Sequence, residues 1–204
     1  MTLNQKCGKL LLCSAAVLLA GAPAVSQSHP VSNSGSLGGP AYGGQQPSAP
    51  DPAENQMNRD RAFLKKALEE GSVEVRLGEL AQQNSQRDDV KEFGRKMVEE
   101  HKQLESKIKP IAMQLGVVLA TDLSRKDKKV IEKLEGLSGS KFDEEYITMM
   151  LKNHQQGLKD FNIEAKKTQN MASRDVAQEG ATIISQHLQL IQSIAQSHNV
   201  ATSR

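Results

Sequence analysis

The sequence predicts an all-α fold: a four-helix bundle with a short extra helix in the connection between helices two and three. Three observations carry this. Aromatic residues make up 3% of the 204 residues and Trp is absent, whereas sheets draw on aromatic and β-branched side chains. Four long stretches repeat apolar residues at steps of three and four, the period of a helix with one buried face. One connection, between the second stretch and the third, is much longer than the other two.

Two segments precede the bundle. Residues 1–24 read as a secretory signal peptide: Lys6 and Lys9 form a basic start, LLLCSAAVLLAG is the apolar run, and Ala22-Pro23-Ala24 supplies small residues for a cut after Ala24. The run is too short for a comfortable permanent membrane anchor. A lipid-modified Cys13 fits poorly, because bulky Leu12 precedes it. Cys7 and Cys13 are the only cysteines, so the mature chain would have neither disulfides nor thiolate ligands. The two leader lysines account for the whole formal net charge of +2. A neutral mature chain gives no reason to expect nucleic acid or an anionic membrane as partner. No integral membrane span is expected after cleavage. Residues 25–56 are rich in Gly, Pro and Ser and nearly free of aliphatic side chains after Val31, which predicts a disordered linker. The folded domain is then expected over 57–204.

The first helix is expected over 58–84, with Phe63, Ala67, Glu70, Glu74, Leu77 and Ala81 on one face. Gly71 and Gly78 weaken it and imply close packing or a bend. The second is expected over 88–115, started by Ser85 or Asp88 and stopped by Gly116, with a kink from Pro110. Ser124 and Asp127 resemble a capping box for the short extra helix, which ends near Gly136. The third is expected over 141–169, capped by Ser140, with Asp143, Glu144 and Glu145 suiting the positive end of the helix dipole. The fourth is expected over 174–199, capped by Ser173, with His198 exposed at a frayed end.

Four ionisable residues interrupt the four apolar stripes: Glu74, His101, His154 and His187. Each sits near the middle of its own helix. In a bundle of helices of similar length the midpoints share one layer, so the four are expected to converge. Imidazole and carboxylate are sound ligands for Zn, Fe, Mn, Cu or Ni, and bundles build such sites from facing helices. The expected cofactor is one transition-metal ion of undetermined identity. A closed polar network without metal accounts for the same residues, and Glu70 could replace Glu74 in either role. Met97 and Met150 lie one turn from histidines, yet core filling explains them more simply.

Long helices with one long cross-connection have ferritin-like topology. The segments FLKKALEEGSVEVRLGELAQQNSQRDDVKEFGRKMVEEHKQL and SGSKFDEEYITMMLKNHQQGLKDF, with the helix bearing His187, are similar to a family of exported bacterial ferritin-like proteins. It is domain of unknown function family 4142, often labelled "predicted outer membrane protein". The resemblance covers about residues 59–198. It implies an exported bundle, periplasmic or associated with the outer membrane, whose motif histidines correspond to His101, His154 and His187. It implies no established activity. True di-iron members of the ferritin-like fold carry Glu-x-x-His on two helices; here Val98 and Ile184 stand three residues before His101 and His187. The missing carboxylates point away from di-iron chemistry and toward one ion or none.

No nucleophile with a nearby base and no Gly-rich phosphate loop is present, so no enzymatic reaction is assigned. The expected function is an exported helical bundle binding one metal ion through His101, His154, His187 and Glu74. The alternative is a metal-free module that meets an unknown envelope protein, with the His/Glu layer a structural polar network.

Overall fold

In the computed structural model, which describes residues 51–200, five α-helices follow one another. They are α1 (Pro52–Asn84), α2 (Asp88–Gln114), α3 (Arg125–Glu135), α4 (Gly139–Lys167) and α5 (Met171–Ser197). No strand occurs among the described residues. The expected leader, and the expected linker up to residue 50, lie outside them.

Helix starts depart from expectation for reasons of capping. α1 begins at Pro52 rather than near 58, so the last residues assigned to the linker are helical. The Asp51 side chain accepts from Ala53 N at 2.8 Å, and Pro52 holds a first-turn φ in advance. α4 starts after Ser138 rather than Ser140, which leaves Asp143 beyond the first turn. Asp143 is buried and faces the Arg87 guanidinium at 3.4 Å, so it is an interior ion-pair partner rather than a dipole residue. α5 is capped by Asn170, whose side chain accepts from Ser173 N at 2.9 Å; Ser173 itself is buried. The short helix is as expected: Ser124 Oγ accepts from Asp127 N at 3.2 Å and donates to its carboxylate at 2.6 Å. α2 runs through Pro110, and Gly116 ends it with φ +76°.

α1 packs chiefly on α2, and α4 on α5, forming two hairpins. The hairpins meet where α2 lies on α5 and α1 on α4, while α3 covers the end of α1. The core has two apolar clusters. One joins the end of α1 and the start of α2 to the start of α4 and the end of α5, with Ile131 and Leu134 of α3. The other joins the start of α1 and the end of α2 to Phe161 of α4 and Val176 to Ile184 of α5. Every neighbouring pair around the bundle is therefore antiparallel. The chain must also travel the length of the bundle between α2 and α4, which explains the long connection.

Gly78 and Gly94 set the α1–α2 distance. A Cβ on Gly78 would stand 2.7 Å from Gly94 O, and one on Gly94 2.6 Å from Gly78 O. Contact this close needs glycine on both helices. It also fixes the register: in an antiparallel pair, the turn of α1 around 71–74 then lies beside 98–101 of α2.

Candidate metal centre

The boundary between the two apolar clusters is polar. His101 falls between Met97 and Leu104, His154 between Leu151 and Phe161, and His187 between Ile184 and Ile191. All three rings are buried, on α2, α4 and α5. Ring centroids are 6.2 Å apart for His101 and His154 and 5.4 Å apart for each of the other two pairs. One ligand-capable nitrogen from each ring lies within 4.8 Å of the others. Phe93 forms the floor, meeting the rings of His154 and His187 edge-on at 6.0 and 6.1 Å.

The hydrogen bonds determine which nitrogens are available. His154 Nδ1 donates to the Met150 carbonyl at 2.8 Å, so the lone pair of that ring is on Nε2. His187 Nε2 donates to a Glu100 carboxylate oxygen at 2.6 Å, which places its lone pair on Nδ1. These two nitrogens, and His101 Nε2, are sealed from solvent and have no hydrogen-bond partner. A metal-binding imidazole characteristically anchors its other nitrogen on a carbonyl or carboxylate, and two of the three rings here are anchored in that way.

Glu74 stands at the side of the cluster. Its carboxylate oxygens lie 3.3 Å from His101 Nε2 and 3.9 Å from His154 Nδ1, and its side chain is 13% exposed. Glu70, the alternative, is half-exposed and faces Lys66 at 3.6 Å. Met97 and Met150 are fully buried in the apolar cluster, as core filling predicts.

Burial dominates the electrostatics. It pushes His101 down to about 3 and His154 to about 4, with the neighbouring imidazoles adding to the effect. Burial also lowers His187, against the opposing pull of Glu100. All three rings are thus neutral at pH 7, the form that offers a lone pair to a metal. Burial, with Glu70 nearby, raises the Glu74 carboxyl to about 8.

The donor set fits a borderline ion such as Zn, Co, Ni or Cu. Two nitrogens around a tetrahedral ion at about 2.1 Å stand roughly 3.4 Å apart. The rings would therefore have to close by about an ångström to share one.

Periodicity in the sequence finds the three histidines and Glu74. It misses Glu100, the anchor of His187, which is bound on its outer side by the Lys96 ammonium. The available signal was its position next to His101 and one turn after Lys96. Also missed are two buried carboxyl groups on α1 and α4, Asp60 and Glu164. Burial and the adjoining Asp60 raise Glu164 to about 7. His198, expected to be exposed, is largely covered and bound to Asp89 at 2.7 Å.

No helix among the described residues is long and apolar enough to cross a membrane. The family profile described as domain of unknown function (DUF4142) matches residues 45–194, and the chain belongs to that family. No curated protein matches it in sequence. A crystal structure of a DUF305 protein from Streptomyces coelicolor, described as secreted, is similar in fold. It has a TM-score of 0.56 at 10% identity over 74% of this chain and 96% of that one.

Proposed function

We propose that this member of the family is an exported helical bundle that holds one transition-metal ion in its core, as a binding protein rather than an enzyme. His101, His154 and His187 would be the ligands, with Glu74 as the fourth or as a neighbour that neutralises charge. One observation carries the reading: three buried imidazoles from three helices bring ligand-capable nitrogens within 4.8 Å of one another, and each ring has a buried nitrogen without a partner. In a closed structural network each nitrogen would be satisfied, because an unpaired buried polar atom costs about 1–3 kcal/mol. Export is supported by the leader pattern of residues 1–24 and by the similar Streptomyces protein described as secreted. The composition of residues 25–50 supports a tether between leader and bundle.

The test is to strip the purified chain with a chelator, then measure metal content and melting temperature with and without Zn, Co, Ni or Cu. At an ion concentration of about 100 times Kd the fold should gain roughly 2.7 kcal/mol, and His154→Ala should lose that gain. A wild-type chain that binds no ion and melts unchanged would return the layer to the metal-free reading. N-terminal sequencing of the exported protein should begin at Val25; retention of the leader would show it to be an anchor.

A further inference from the structure

The three histidines are enclosed, so an ion must cross a wall of the bundle, and the walls differ. Behind His187 stands Glu100, 24% exposed, with the Lys96 ammonium bound to it. That carboxylate is already engaged on both sides, by the ammonium and by the ring of His187. On α1 the wall is thinner. Gly71 is half-buried, and a Cβ added to it would stand 3.7 Å from His101 Nδ1. That nitrogen makes no hydrogen bond and, unlike His101 Nε2, is not sealed from solvent. One turn further along α1, the Glu74 carboxyl lies 3.3 Å from His101 Nε2. The side-chain-free position at 71 thus bares one edge of a ligand ring, and the side chain of Glu74 beside it, 13% exposed, holds its buried carboxyl group against the ligand cluster.

We infer that the gap at Gly71 is the route by which the ion reaches the centre, with Glu74 as the group that carries it inward past His101. This rests on the metal-binding reading above. Glycine in a helix costs about 1 kcal/mol against alanine, and the neighbouring space would accept an alanine in ordinary contact. A passage accounts for the glycine where packing does not. A route alters the rates of binding and release by one factor and leaves the equilibrium untouched.

The experiment follows Co2+ absorbance by stopped flow after mixing the ion with the chelator-stripped full chain, and follows release into excess EDTA. Gly71→Ala should slow uptake and release several-fold, and Gly71→Leu tenfold or more, each with the equilibrium affinity within twofold of wild type. Gly71→Ala should also melt higher, so its slowing cannot come from a damaged fold. Gly157→Ala is the control: it makes the same change on α4 but meets Ile184 rather than a histidine, and should load at the wild-type rate. Equal rates for wild type and both Gly71 variants would overturn the route alone. So would slowing by Gly157→Ala as large as that by Gly71→Ala. Failure of wild type to take up Co2+ at equilibrium would overturn the centre and the route together.

Discussion

Two groups of histidine occupy this bundle, and they are built on opposite plans. His198, at the end of α5, has both nitrogens occupied. Nδ1 accepts from the Arg87 guanidinium and Nε2 donates to Asp89, while Arg87 also faces Asp143 of α4. The ring is a satisfied link that ties α5 to α2 and α4. In the central layer His154 and His187 each have one nitrogen anchored and the other bare, and His101 Nε2 is bare beside Glu74. Burial alone does not distinguish the two plans. The unspent nitrogen does, and it becomes visible only when both ends of each ring are traced.

The strongest way to break the contrast is to remove the floor of the layer. Phe93→Ala should cost about 3–5 kcal/mol, read by chemical denaturation, because the ring is fully buried under His154 and His187. A loss under about 1 kcal/mol would show that the layer holds its own geometry.

Acid should act next. The three central rings have folded-state values below the ordinary 6.5. The unfolded chain therefore takes up protons that the fold refuses, and stability present above 6.5 is lost as pH falls toward 4. Each excluded proton is worth about 1.4 kcal/mol per pH unit. Glu74, raised to about 8, and Glu164, raised to about 7, act in the other direction. Their stabilisation is present below about 4.5 and is lost as pH climbs through 7 and 8. The metal-free chain should thus melt highest near pH 6 to 6.5 and lower on either side. A melting temperature that does not drop on the acid side would contradict neutral central histidines.

Glu100→Ala sharpens the contrast from the ligand side. Losing the partner of a ligating imidazole typically weakens metal affinity by about 10- to 100-fold, and competition with a chromophoric chelator would read it. Unchanged affinity would remove His187 from the ligand set. The smallest effect is expected from His198→Ala: about 1 kcal/mol of stability, with metal uptake left as in wild type. If His198→Ala abolished uptake, the distinction between spent and unspent nitrogens would fail.

The helices were legible because each needs a long apolar stripe, and the stripe repeats. His101, His154 and His187 were legible because they interrupt it. The start of α1 was not, because Pro52 to Gln56 bears no stripe and is helical through a cap at Asp51. Glu100 was hidden by being one residue off the stripe, where a partner of His187 and an ordinary solvated acid look alike. His198 was misjudged because its partners, Arg87 and Asp89, come from more than a hundred residues earlier. Whether the central rings leave nitrogens bare depends on rotamers and on carbonyls such as that of Met150, neither of which any one-dimensional pattern encodes.

The antiparallel ring of helices has one more consequence. His101 and Glu74 belong to the hairpin of α1 and α2, and His154 and His187 to that of α4 and α5. Neither hairpin holds more than two of the four groups, and the contact between hairpins is slighter than the contact within each. An ion at the centre would therefore act as a rivet across the weaker seam. Amide hydrogen exchange would register it as slowed opening along the α2–α5 and α1–α4 faces, while the interior of each hairpin would hardly notice whether the rivet was there.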